Sequence, residues 1–250
     1  MKGQCQRVTR KLLPSFPRSY PQEDNMMTKY LVLFTIGSVI GSFCQVIAIR
    51  GLRAATLTTE PSHCDYCGNR LAWFELVPLV SYLVLQGKCR HCRNKIPLAG
   101  LFAEVAGGCV ALYYREPSTD LLLLLIGFLL LIMSLCDWRE LAVPNYLLGA
   151  TAFTISAFLM VNNLFTIWHL LIFIVWLCYQ RWPVFNKWLG EADLDLMLLY
   201  GVLAGPTLTC QAVLIGSGLA IMAFKVWQRR QLPFVPCLAI GYYWILWCLL

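Results

Sequence analysis

Charged residues are scarce in this chain, and their scarcity excludes most soluble proteins. Asp, Glu, Lys and Arg together make up 13% of the 250 residues, whereas hydrophobic residues make up 59%. A soluble domain usually carries about 25% charged residues. The chain therefore lacks the polar surface that would cover a water-soluble body, and we expect an integral membrane protein.

The few charges that are present are biased toward positive residues, with a formal net charge of +7. Binding of nucleic acid requires basic side chains that are gathered into one patch. Here Lys and Arg lie between apolar runs, which is typical of loops that orient membrane helices. We therefore expect the lipid bilayer as a partner, and no nucleic acid.

Eight stretches are apolar and long enough for a helix that crosses a bilayer, which needs about 20 residues. They are residues 28–49, 97–114, 120–137, 142–161, 164–180, 193–209, 210–227 and 233–250. The sixth and seventh are divided only by a break at Gly205–Thr209. Residues 71–85 are also apolar, but Pro78 and the flanking charges argue against a ninth span. The predicted fold is an all-α integral membrane protein with about eight transmembrane helices and a small cytoplasmic insertion.

This pattern divides the chain into four segments. Residues 1–25 lack the continuous apolar core of a secretory signal and are expected to be a disordered or non-native extension. Residues 26–50 form the first transmembrane helix, residues 51–96 a polar segment, and residues 97–250 the transmembrane core. Lys and Arg concentrate in the polar segment and in the loops on its side, so this side is predicted to face the cytoplasm.

Four of the twelve cysteines form two close pairs in the polar segment, namely Cys64, Cys67, Cys89 and Cys92. Each C-x-x-C pair places two thiolates on a tight turn, and two pairs complete the tetrahedron that a structural zinc prefers. A cytoplasmic location favours metal over disulfides. We therefore predict a zinc-ribbon-like insertion, with a redox pair or unligated thiols as the alternatives. Four sulfur ligands leave no position for a catalytic water.

Two aspartates are predicted to lie at the same end of their membrane helices. Asp137 ends the third predicted span, and Asp193 begins the sixth. Carboxylates within membrane helices are costly and usually mark function. If the two meet, repulsion between like charges would keep one protonated and one ionised, as in aspartic proteases. The alternative is that each is a helix cap or an interfacial charge.

Two other acids and two other classes of function remain open from the residues alone. Asp195 lies about 200° around the helix from Asp193, and Glu104, deep in the second span, is expected to be a hydrogen-bond partner in helix packing. A transporter could use such acids as an ion or proton relay. A non-catalytic assembly protein could instead dock through the cysteine-rich segment.

Five motifs resemble, in order, those of the type IV prepilin peptidases. They are Gly41–Arg50, Pro61–Cys67 with Gly87–Cys92, Asp137 with Val143-Pro144-Asn145, Gly190–Asp193, and Leu232–Gly241. The resemblance extends over nearly the whole chain and is nearest to the competence-type members of Gram-positive bacteria.

The resemblance implies a membrane aspartyl endopeptidase whose active site faces the cytoplasm. It would remove the short basic leader of prepilins or pseudopilins, with Asp137 and Asp193 as the catalytic pair. Some members of the family also N-methylate the new N-terminus with S-adenosylmethionine. No glycine-rich loop for a methyl donor is visible in this sequence, so this second activity is left open.

The chain departs from the family pattern at two positions. Ala192 replaces the glycine of the second catalytic motif, which adds a methyl group and removes free access to positive φ. Asp195 replaces the Lys that is common two residues after the second aspartate, which adds a negative charge near the pair. We expect activity if the motif needs only a small residue for close helix approach.

Overall fold

The computed structural model describes residues 24–52, 61–114, 120–164, 166–167, 169–171, 173–174, 176, 191–227 and 232–249. The expected N-terminal extension lies outside these residues except at its last two positions. Those two belong to the first helix, which begins at Asp24. The fifth predicted span, 164–180, is described only in part.

In the described part of the chain, eight α-helices account for most residues. They are α1 (Asp24–Leu52), α2 (Val80–Val84), α3 (Leu98–Ala111), α4 (Asp120–Glu140), α5 (Asn145–Val161), α6 (Glu191–Ala204), α7 (Pro206–Trp227) and α8 (Val235–Leu249). A 3-10 turn at Trp73–Leu76 precedes α2. The described residues contain no strand, only isolated β-bridges at His63–Arg70 and Lys88–Lys95.

Three helices are long and apolar enough to cross a membrane, namely Met26–Gly51, Leu121–Glu140 and Pro206–Val226. Helices α3 and α5 are apolar but shorter. The all-helical membrane architecture is therefore present, whereas the predicted count of eight spans is not confirmed. Residues 71–85 contain only the 3-10 turn and a helix of five residues, which are far too short to cross a bilayer.

The predicted break at Gly205–Thr209 between the sixth and seventh spans is present at Gly205. The seventh helix starts earlier than predicted, at Pro206 instead of residue 210. Gly205 separates α6 from α7 with a φ of +85°, a conformation that glycine adopts without strain at the end of a helix. Proline suits the first position of the next helix because its missing N–H would have no partner there.

Helices α1 and α3 cross in close contact along a line of small residues. A Cβ atom at Gly41 would lie 2.3 Å from the carbonyl oxygen of Ala103, and one at Gly107 would lie 2.6 Å from the Cα of Gly41. Near the other end, Gly37 meets Ala111. The order of these contacts shows that the two helices run antiparallel with their backbones touching, as small residues allow in membranes.

A layer of tyrosines joins α3, α4, α6 and α8. Tyr113 donates a hydrogen bond to the carbonyl of Tyr243, and Tyr243 donates one to the carbonyl of Gly127. Tyr200 packs on Tyr242 with ring centroids 4.4 Å apart. This tyrosine layer fixes how far each helix is shifted along the bundle axis relative to the others. The position of the site follows from these shifts.

Candidate active site and metal centre

Asp137 lies in the last turn of α4 and is buried, with 8% of its surface exposed. Its Oδ2 accepts the backbone N–H of Val235 at 3.0 Å. Val235 is the first residue of α8, where N–H groups have no partner within the helix. The start of the last helix therefore fixes the Asp137 carboxylate in place.

Asp193 lies in the first turn of α6 and is half-buried. Its carboxyl is near enough to Asp137 for the two charges to interact. Ala192 lies in the same helical turn and is not among the residues with positive φ. At this position the backbone is helical, so alanine replaces the motif glycine without backbone strain.

The three helix ends that carry these groups lie on one side of the tyrosine layer. Asp137 lies about 15 Å along α4 from Gly127, and Val235 about 12 Å along α8 from Tyr243. Asp193 lies about 10 Å along α6 from Tyr200. The structure thus places the two predicted aspartates at the same end of the helix bundle.

Asp195 has different surroundings from Asp193. Its side chain is 4% exposed, and its Oδ1 accepts a hydrogen bond from the indole Nε1 of Trp176 at 2.8 Å. The sequence predicted that Asp195 points away from Asp193, and this contact directs it toward the segment that contains Trp176.

Glu104 links three parts of the chain with one carboxylate. It accepts the hydroxyl of Ser42 in α1 at 3.1 Å and the backbone N–H of Leu79 at 2.8 Å. Both oxygens are therefore engaged in packing, which agrees with the predicted role of this residue.

The four predicted metal ligands converge on one point. The Sγ atoms of Cys64, Cys67, Cys89 and Cys92 all lie within 4.8 Å of one another. A zinc–sulfur distance of about 2.3 Å in a tetrahedron requires sulfurs about 3.8 Å apart. The separation between Cys64 Sγ and Cys92 Sγ is 3.9 Å, so the donor set fits a zinc ion.

The two cysteine pairs have the same backbone geometry. The N–H of Cys64 donates to the carbonyl of Asn69 at 2.9 Å, and the N–H of Cys89 donates to that of Asn94 at 2.8 Å. One residue after each pair has positive φ, Gly68 at +69° and Arg93 at +61°. The insertion therefore consists of two equivalent knuckles around one cluster.

The thiols of the cluster differ in acidity. Backbone N–H groups of Cys92 and His91 lower the pKa of Cys89 to about 7. For Cys67 the N–H of Asn69 acts in the same direction, but desolvation and the other three thiols outweigh it and raise the pKa to about 11. A metal ion bound here would hold all four as thiolates, because thiolates and not thiols bind metals.

A cleft of about 440 Å³ lies between the knuckles, α1 and the start of α3. Its lining includes Gln45 and Arg50 of α1, Tyr82, Lys95 and Glu104. The aspartate pair does not line it, so this cleft is distinct from the paired-carboxylate centre.

Sequence reasoning missed two contacts of the site. The link between Asp137 and Val235 had a signal, because Pro233 and Pro236 mark a helix start whose N–H groups need acceptors. The donor of Asp195, Trp176, stands in an apolar stretch with nothing to distinguish it from its neighbours.

The fold and the site together define a helical membrane protein with two aspartates at one end of its bundle and a four-cysteine insertion. A family model described as the bacterial peptidase A24 N-terminal domain matches residues 35–115. No solved structure matches the chain.

Proteins called prepilin leader peptidase/N-methyltransferase match most of the chain. The one from Vibrio cholerae is 31% identical over 237 residues, covering 84% of this chain and 90% of its own length. Those from Bacillus subtilis and Pseudomonas aeruginosa are 25% and 27% identical, covering 84% and 87% of this chain and 90% of each relative. The chain therefore belongs to the prepilin leader peptidase family. These matches do not single out the competence-type subgroup, which stays a prediction.

Proposed function

We propose that this chain is an aspartic endopeptidase of the cytoplasmic membrane that removes the leader of prepilins or pseudopilins. The relatives' names support the activity and the substrate class. The observation that supports the proposal is that Asp137 and Asp193, from separate helices, lie at the same end of the bundle, near enough for their charges to interact. In this proposal that end faces the cytoplasm, where the basic loops lie.

The two aspartates divide the chemistry between them. One carboxylate takes a proton from a water molecule, and the oxygen of that water then attacks the scissile carbonyl. The other carboxyl, held protonated beside its ionised neighbour, gives its proton to the leaving amine. The hydrogen bond from Val235 to Asp137 holds one of the two carboxylates in a fixed orientation during this exchange.

The four-cysteine cluster holds a structural zinc in this proposal. Cys64, Cys67, Cys89 and Cys92 supply a closed tetrahedron, so the ion fixes the insertion and takes no part in cleavage. The relatives' names also include N-methyltransferase. Methylation of the new N-terminus, with S-adenosylmethionine as donor, is accordingly a second activity to test on the cleaved product.

Cleavage separates this proposal from transport or docking. The purified chain in phospholipid vesicles should convert a prepilin with a basic leader into a shorter, faster-migrating product. The variant Asp137→Asn, present at equal membrane levels, should leave the prepilin intact. Cleavage by that variant at the rate of the unaltered chain would contradict the proposal.

The zinc has its own test. Elemental analysis of the purified chain should find about one zinc per chain. Cys92→Ser should lower the zinc content and expose the remaining thiols to labelling, because metal binding supplies folding free energy to such clusters. A fully active chain with reduced thiols and no zinc would exclude this role.

A further inference from the structure

A segment between the two cysteine pairs exposes an unusual amount of apolar surface. Trp73 is 81% exposed, Leu83 73% and Val84 74%. Further exposed apolar side chains in this segment are Phe74, Leu76, Val77 and Val80. Its one charged residue, Glu75, accepts the backbone N–H of Ala72 at 2.8 Å. Contiguous apolar patches of this kind mark a binding surface.

The depth of this segment follows from its link to α1. Glu104 joins the N–H of Leu79 to the hydroxyl of Ser42 through one carboxylate. Ser42 lies about 5 Å from the midpoint of the candidate span Met26–Gly51, at 1.5 Å per residue. Half of the hydrocarbon layer is about 15 Å thick. The Leu79 backbone therefore lies level with the interior of the membrane.

Part of the backbone of the segment and its edges is hydrogen-bonded within the chain. Acceptors within the chain satisfy the N–H groups of Ala72, Glu75, Leu79, Val80, Ser81, Leu83 and Leu85. Pro78 has no N–H to satisfy. Non-helical backbone at membrane depth requires such internal partners, because an unpaired group in lipid costs several kcal/mol.

Basic residues flank the segment on both sides, with Arg70 before it and Lys88 and Arg90 after it. The guanidinium of Arg90 lies 5.5 Å from the ring centroid of Phe74. Long basic side chains next to exposed aromatics are typical of the boundary between lipid and headgroups.

We propose that residues 73–84 form a re-entrant segment that is immersed in the lipid leaflet beside α1 and α3. Trp73, Leu83 and Val84 contact acyl chains, and the flanking basic residues contact headgroup phosphates. The segment anchors the two cysteine knuckles against the membrane surface. This inference does not depend on the peptidase activity.

Fluorescence quenching in vesicles tests the depth directly. An environment-sensitive fluorescent amino acid is placed at position 83 of the full chain, in vesicles of phosphatidylethanolamine and phosphatidylglycerol. Position 66 is the matched control, because Tyr66 is 66% exposed, similar to Leu83, but lies in the first knuckle. Both positions lie on the same side of the protein, so vesicles that contain the protein in both orientations affect the two probes equally.

Lipids brominated on their acyl chains should quench the probe at position 83 several-fold more than the probe at position 66. Aqueous iodide should show the reverse order. Equal quenching by iodide at both positions would overturn the proposal. Protection of position 83 from both quenchers would overturn it as well, because it would mean that protein and not lipid covers this surface.

Discussion

Asp193 and Asp195 are two residues apart, yet their surroundings assign them different roles. Asp193 is half-buried near Asp137, whereas Asp195 is almost fully buried against Trp176. The rotation of about 200° between them around the helix prevents both from facing Asp137. In the proposed mechanism it is therefore Asp193 that pairs with Asp137.

Replacement of Asp195 should therefore affect stability more than cleavage. Asp195→Asn keeps an oxygen acceptor for the indole of Trp176 and should retain cleavage. Asp195→Leu leaves a buried N–H without a partner, which costs about 1–3 kcal/mol of the free energy of unfolding. Thermal unfolding in detergent and prepilin processing measure the two effects. Loss of cleavage in a stably folded Asp195→Asn variant would show that the second catalytic role had been assigned to the wrong aspartate.

The two knuckles provide an internal comparison of backbone strain. Gly68 and Arg93 occupy equivalent positions with similar positive φ values, but only glycine adopts this conformation without cost. Arg93→Gly should stabilise the insertion by about 1 kcal/mol, and Gly68→Ala should destabilise it. The rate of zinc loss to a chelator measures both changes, and the opposite order of rates would contradict this account.

At the level of elements, α1 and α3 cross with their backbones in close contact. Gly41→Ala would place a Cβ atom 2.3 Å from the backbone oxygen of Ala103, so the helices must separate. Overpacking of this kind costs about 1–3 kcal/mol, which should lower the unfolding temperature. Gly149→Ala is the control, because a Cβ atom there meets nothing within 4 Å. Equal unfolding temperatures for the two variants would show that the crossing is loose.

The sequence predicted the helices better than their ends. Apolar runs of membrane length are a strong signal, and helices lie where seven of the eight runs were expected, the fifth being described only in part. The break at Gly205–Thr209 was predicted, but the start of α7 was placed too late, at residue 210, because hydropathy continues through Gly205 and Pro206. Backbone conformation at that glycine, and not composition, sets the boundary.

For the whole molecule, the site combines groups that the sequence separates widely. The candidate residues Asp137 and Asp193 could be chosen from their places in predicted spans and from the motif resemblance. The contact between Val235 and Asp137 could be predicted only as far as a helix start near Pro233 and Pro236, because the pairing itself depends on how the helices pack. The cysteine cluster was more predictable, since each C-x-x-C pair carries its own turn geometry.

The central claim is that Asp137 and Asp193 act as one catalytic unit, and a double-mutant series tests it most directly. Prepilin processing is measured for Asp137→Asn, Asp193→Asn and the double variant at matched membrane levels. Residues that act as a unit give non-additive losses, so all three variants should be equally inactive while remaining folded. Normal cleavage by either single variant would contradict the claim.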